Sequence, residues 1–193
     1  LGVVGALYQN RGPDYAVIAV ATAGSTIPTF VIAPLLQLGF GLTLSLLPVG
    51  GWGDGALRNK IMPILTLALP QIAIAARLMR ASMIEALRSH HIRTARALGL
   101  PAHSVVLKHA LRGALLPIVS YVGPAAASLL TGSIIVERIF QIPGIGRYFV
   151  EAALNRDYTT VMGTVVVIAV FTILFNLIVD ILYAVLDPRV RYD

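Results

Sequence analysis

Seven cations crowd one stretch of this sequence. Between Arg77 and Arg112 stand Arg77, Arg80, Arg88, Arg93, Arg96, Lys108 and Arg112, against a single acid, Glu85. The net charge of the chain is +6, and this stretch holds all of it, because bases and acids are equal in number elsewhere. A cation cluster suits a nucleic acid, an anionic lipid surface or another protein. Nucleic acid is disfavoured, since no aromatic residue lies between Arg77 and Arg112 to stack on a base. Lipid attraction is worth about 1 kcal/mol per cation near the surface and needs charge alone. It does not explain why the stretch is punctuated by Gly99-Leu100-Pro101.

The other reactive side chains say less. His90, His91, His103 and His109 lack the carboxylate or second histidine at helical spacing that a metal site needs, so they read as solvated. Cysteine is absent, which removes thiolate chemistry and disulfides. There is no HExxH and no GxSxG. The two lysines, Lys60 and Lys108, do not follow a glycine, so no phosphate-cradling loop is present. Asp180 is the exception. It stands in an apolar run with Asn176 four residues earlier and Tyr183 and Asp187 on a nearby face. An acid at membrane depth is a candidate for a substrate path, and equally for pairing with a base near the interface. The simpler pairing role is preferred.

The elements that must carry these groups are apolar. The chain has 193 residues, 57% hydrophobic and 12% charged, with a mean hydropathy of +0.82, where soluble domains carry about a quarter charged residues. Charge-free intervals locate spans of about 20 residues. The expected spans are 16–47, 61–79, 113–136 and 158–186, with 1–8 as the tail of a partial one. The second suffices if Arg77 and Arg80 extend their charges toward the headgroups. Pro28, Pro34, Pro70 and Pro124 are tolerated within spans. Gly123, Ala127 and Thr131, with Ser128 and Gly132, form a small-residue stripe for close helix packing. The sequence opens at Leu1 inside an apolar run, so an N-terminally truncated chain is expected.

Lys and Arg counts place 80–112 in the cytoplasm together with Arg11, Arg189 and Arg191, and the C-terminus with them. The opposite side holds Arg58, Lys60, Arg138, Arg147 and Arg156. It also holds the loop 137–157, ERIFQIPGIGRYFVEAALNRD. Pro143, Gly144 and Gly146 break that loop too often for a span, and its apolar content predicts a re-entrant or interfacial element ending at Asn155, Arg156 and Asp157.

In the basic segment, a helix from Ser82 to Leu98 is expected, with Gly99 just past its end. Pro101 suits the first turn of a second helix. The unit is helix, corner, helix, with small residues Ala95, Ala97, Gly99 and Ala102 that fit a groove of another protein.

The runs RTARALG and HALRGALLP resemble the cytoplasmic EAA loop of type I ABC-importer permeases. The resemblance extends through GSIIVERIFQIPGIGRYFVEAALNRDY, LFNLIVDILYAVLDPRVRYD and PVGGWGDGALRNKIMP, over essentially the whole chain. It is closest to the peptide branch, the oligopeptide permease B type. Arg93 stands where the family's name-giving glutamate would be and Thr94 replaces the first alanine, while Ala95 and Gly99 match.

The resemblance implies an all-α, polytopic transmembrane helix bundle forming a single domain over 1–193. It implies a coupling helix in which Arg93, Thr94, Ala95, Arg96, Gly99, Leu100, Pro101 and His103 face an ATPase subunit. The translocation path would include Asn176 and Asp180. The external gate loop would include Pro143, Gly144, Gly146, Asn155, Arg156 and Asp157. The implied partners are a second homologous permease, two ATPases and an extracytoplasmic peptide-binding protein, in a bacterial cytoplasmic (inner) membrane. No cofactor is expected on this chain, with ATP and Mg held by the ATPases and no metal or nucleic acid bound. The rival function is a secondary transporter or channel in which Asp180 carries ions or protons. Against it stand a lone intramembrane acid and the absence of an inverted repeat.

Overall fold

The computed structural model describes residues 1–186, without the side chains of Ala127, Thr131, Gly132 and 182–186. Among the described residues the regular elements are helical. They are α1 (Gly2–Leu7), α2 (Gly12–Thr26), α3 (Thr29–Leu36), α4 (Leu57–Arg88), α5 (His90–Ala97), α6 (Ala102–Ser104), α7 (Leu111–Ala114), α8 (Leu116–Ile139), α9 (Ile145–Leu154) and α10 (Tyr158–Leu186). Wider π-helical turns follow α3 at Gln37–Thr43 and α6 at Val105–Ala110.

Among the described residues two helices, Leu57–Arg88 and Tyr158–Ile181, are long and apolar enough to cross a membrane, and up to four are if each of two bent pairs counts as one span. Val166, Phe171, Ile173 and Ile181 on α10 are among many exposed large apolar side chains, as expected of surfaces meant for lipid or for other helices.

Several boundaries differ from the sequence reading. The interval 16–47 is not one helix. Pro28 is extended (φ −62°, ψ 146°) and caps α3 from outside it. Its missing N–H and fixed φ suit a helix start. Pro34, Pro63, Pro70 and Pro124 do lie inside helices. The helix expected over 82–98 is interrupted at Ser89, which is extended (φ −66°, ψ 156°), so α4 and α5 are separate. Pro101 occupies the cap before α6 rather than its first turn.

The described residues group into two compact units, 1–24 with 72–123 and the stretch 177–186, and 25–71 with 124–176. In the first, Ala6, Met83, Ile92, Ala95, Val105, Ala110 and Ala114 form a buried cluster. In the second, Ala33, Met62, Val136 and Phe140 do so. Around the second core the Gly-rich turn is sutured to the end of α8. The Phe140 carbonyl accepts from the Gly51 amide at 2.7 Å. Gln37 Nε2 donates to the carbonyls of Val49 (2.7 Å) and Ile139 (3.2 Å). The Lys60 ammonium sits 4.7 Å from the Trp52 ring centroid, a cation–π contact.

Of the small-residue stripe, Gly123 is buried and Ser128 accepts a hydrogen bond from Gln71 Nε2 at 3.1 Å. The Ala127, Thr131, Gly132 and Tyr183 side chains, together with Asp187, Arg189 and Arg191, lie outside the described residues.

Candidate functional site

The basic segment builds a corner on a greasy base. On α5, Ile92 is fully buried and Ala95 nearly so, both packed with Met83 of α4 and with Val105 and Ala110 of the next helical run. Their three-residue spacing puts them on one face of the helix. The rest of α5 turns outward, with Arg93, Thr94 and Arg96 exposed.

The helix then ends in a Schellman motif. The Gly99 amide donates to the Arg96 carbonyl at 3.0 Å and the Leu100 amide to the Ala95 carbonyl at 3.3 Å. That pairing satisfies carbonyls the helix end would orphan, and it requires a left-handed residue at Gly99. Gly99 has φ +75°, and a Cβ added there would meet nothing within 4 Å. Glycine is demanded by the backbone angle alone.

Leu100, Pro101 and His103 are exposed beyond it. Every residue expected at this corner except Ala95 is therefore on the surface. The sequence reading passed over Leu98, which is 75% exposed and the most prominent apolar side chain of the corner. Its signal is a leucine one residue before a C′ glycine, off the 92/95 stripe. The four histidines are exposed. Glu85, Ser82, Ser89 and His91 help to line a cavity of about 470 Å³ beside the corner.

The part of α4 that leads to the corner pairs with a residue the sequence reading did not single out. Asp14, in the first turn of α2, is fully buried. Its carboxylate accepts Arg80 Nε at 2.5 Å and Arg80 Nη2 at 2.7 Å. Arg80 is thus a partner of an acid rather than a charge reaching for headgroups. The legible signal was an acid placed just before a long uncharged run.

The loop 137–157 is built differently. α8 ends at Ile139 and α9 starts after Gly144, which is extended (φ −132°, ψ 172°). The Glu137 carboxylate accepts the Gly146 amide at 2.7 Å. An acid at a helix N-terminus meets both its free N–H groups and its dipole. The approach leaves no space: a Cβ on Gly146 would lie 2.3 Å from the Ile134 Cα, and one on Gly144 would overlap the Glu137 carboxylate. Pro143 is exposed beside them.

α9 is amphipathic, buries Gly146 and Ala152, and carries an exposed Arg147–Glu151 pair at 2.8 Å. It closes with the same Schellman bonds, Arg156 amide to Ala153 carbonyl (3.3 Å) and Asp157 amide to Ala152 carbonyl (2.9 Å). Here Arg156, at φ +55°, takes the left-handed place. Asp157 then caps α10, accepting the Thr160 hydroxyl at 2.6 Å and the Thr160 amide at 3.1 Å. Those bonds hold its carboxyl below the ordinary aspartate value. Asn155, Arg156 and Asp157 are exposed. Asn176 and Asp180 lie one turn apart on α10, both exposed.

Helices able to cross a bilayer, together with a cationic helical corner turned outward, define a polytopic helical membrane protein. The chain matches, over residues 1–192, the family described as binding-protein-dependent transport system inner membrane component, and it belongs to that family. It is 52% identical over 191 residues to the oligopeptide transport system permease protein OppB of Salmonella typhimurium, covering 99% of this chain and 62% of that protein. It is 44% identical over 191 residues to the dipeptide transport system permease protein DppB of Bacillus subtilis, covering 99% of this chain and 61% of that protein. The chain thus spans about three-fifths of the length of these relatives.

Proposed function

We propose that this chain is the membrane-embedded permease subunit of an ATP-driven importer for oligopeptides or dipeptides. The observation that carries the reading is the 52% identity, maintained over 99% of the chain, to an oligopeptide permease. The corner supports it physically. A left-handed glycine and exposed Arg93, Arg96, Leu98, Leu100, Pro101 and His103 stand on a packed base of Ile92 and Ala95. Exposed apolar and cationic side chains on one packed support suit a groove with an acidic rim.

In this reading the corner docks on an ATPase subunit, and ATP with Mg is bound and hydrolysed there. A second homologous permease completes the path, and a peptide-binding protein delivers cargo at the face carrying 137–157. The corner and the C-terminus lie in the cytoplasm. Asn176 and Asp180 line or flank the path. Ion coupling at Asp180 is the less favoured role, because the names of the relatives describe peptide transport systems.

The test is uptake of labelled peptide by proteoliposomes holding the full-length permease, its partner permease, the ATPases and the binding protein. ATP-dependent, binding-protein-dependent uptake is expected. Uptake driven by a proton gradient without ATP would overturn the assignment. A cysteine at Asn155 should react with an impermeant thiol reagent from outside and one at Leu98 from the cytoplasmic side of membranes stripped of the ATPases. The reverse pattern would invert the topology.

A further inference from the structure

The corner does not stand on α4 alone, and the geometry points to Asp14 and Arg80 as positioning residues that hold it in register with the α1–α2 hairpin. This inference rests on the importer reading and adds a device to it.

Three contacts join the hairpin to the base of the corner. The first is the forked pair, Arg80 Nε and Nη2 on the two Asp14 oxygens, with the Asn10 amide donating to Asp14 Oδ2 at 2.8 Å. The second is Arg88 Nη2 donating to Gln9 Oε1 at 3.2 Å. Arg80 and Arg88 lie about 12 Å apart along α4 at 1.5 Å per residue. The third is Ala6 of α1, buried in the same cluster as Met83, Ile92 and Ala95. One tie would leave a pivot. Two polar ties separated along α4, with an apolar contact between α1 and the α5 base, leave the hairpin little freedom to turn.

The choice of an ion pair is informative. Burying a carboxylate is costly, and apolar residues of similar volume usually stabilise as well or better. A bidentate guanidinium–carboxylate pair supplies fixed orientation instead. Asp14 is fully buried while the Arg80 side chain remains 22% exposed, so the acid is the committed partner. Displacement of α5 passes through Ile92 and Met83 to α4 and, at fixed register, to α2. The pair thus makes hairpin, α4 end and corner move as one body.

The experiment uses the reconstituted full complex and reads peptide imported per ATP hydrolysed. Asp14→Asn and Arg80→Gln should keep assembly and ATP hydrolysis within about twofold of wild type and lower the ratio at least about tenfold. Arg80→Lys, which keeps the charge without the fork, should fall between them and wild type. A single neutral variant with an unchanged ratio overturns the proposal. So does a loss of uptake strictly proportional to loss of assembled complex.

A second arm does not depend on tolerance of a buried orphan charge. Gln9→Cys with Arg88→Cys, in a background without other cysteines, is bridged by a short bifunctional thiol reagent. Retained uptake after bridging is expected of one rigid body, and uptake abolished by the bridge overturns it. An unmodified complex that moves no peptide sinks the importer reading and this proposal together. A wild-type complex that transports while Asp14→Asn keeps its ratio sinks this proposal alone.

Discussion

The helix ends at Leu98 and at Asn155 close with the same two backbone hydrogen bonds, yet the left-handed residue is Gly99 in one and Arg156 in the other. The glycines of the two regions are likewise required for opposite reasons. Gly99 stands in open space and answers only to its φ of +75°, whereas Gly146 is pressed against Ile134 and Glu137. The difference teaches that one residue type marks two physical demands. At the corner a side chain would be strained but would meet nothing. In the 137–157 loop a side chain would collide. The corner therefore leaves the space beside its glycine open, and the loop's glycines pack against its own chain.

The sharpest way to break this comparison is volume at Gly146. Gly146→Val forces atoms into space already filled and should cost beyond about 3 kcal/mol, the upper end of overpacking. Thermal unfolding of the purified complex in detergent is the check, and a variant as stable as wild type would mean the close approach is not real.

Next in size is the base of the corner. Ile92→Ala removes a fully buried side chain from the cluster that seats α5, and should cost about 2–4 kcal/mol. Faster proteolytic cutting within 89–101 would report the loosened seat.

Backbone angle comes third. Gly99→Val should cost about 1–2 kcal/mol through the left-handed angle, while Gly99→Asn, a residue that visits that region, should cost much less. The reverse change at the other helix end, Arg156→Gly, should stabilise by about 0.5 kcal/mol, relief of strain less the entropy of a freer unfolded chain. If Val and Asn behave alike at Gly99, the demand there is not for φ.

The smallest effect concerns the cap of α10. The folded pKa of Asp157 is depressed by the Thr160 hydroxyl and amide. A depressed carboxylate contributes stability that is present above its unfolded value and is lost as pH falls through the folded one. Wild type should lose a small increment in Tm on acidification below about pH 4 that Asp157→Asn does not show, since asparagine caps without titrating.

Much of this molecule is legible in its residues. A mean hydropathy of +0.82 and long uncharged runs require membrane helices. The cation excess between Arg77 and Arg112 sets the corner apart, and Gly99 before Leu100-Pro101 marks its helix end, because those signals are local in the chain. What stayed hidden depends on residues far apart. The pairing of Asp14 with Arg80 joins positions 66 apart, and nothing near Asp14 announces its base. The collision that makes Gly146 obligatory comes from Ile134 across a turn. The breaks at Pro28 and Ser89 mark where one apolar or helical pattern is cut in two. Composition and short spacing determine which segments are apolar and where helices stop. Which acid meets which base, and which glycine has no space beside it, is decided only when the helices pack, since burial and contact are properties of the assembled chain.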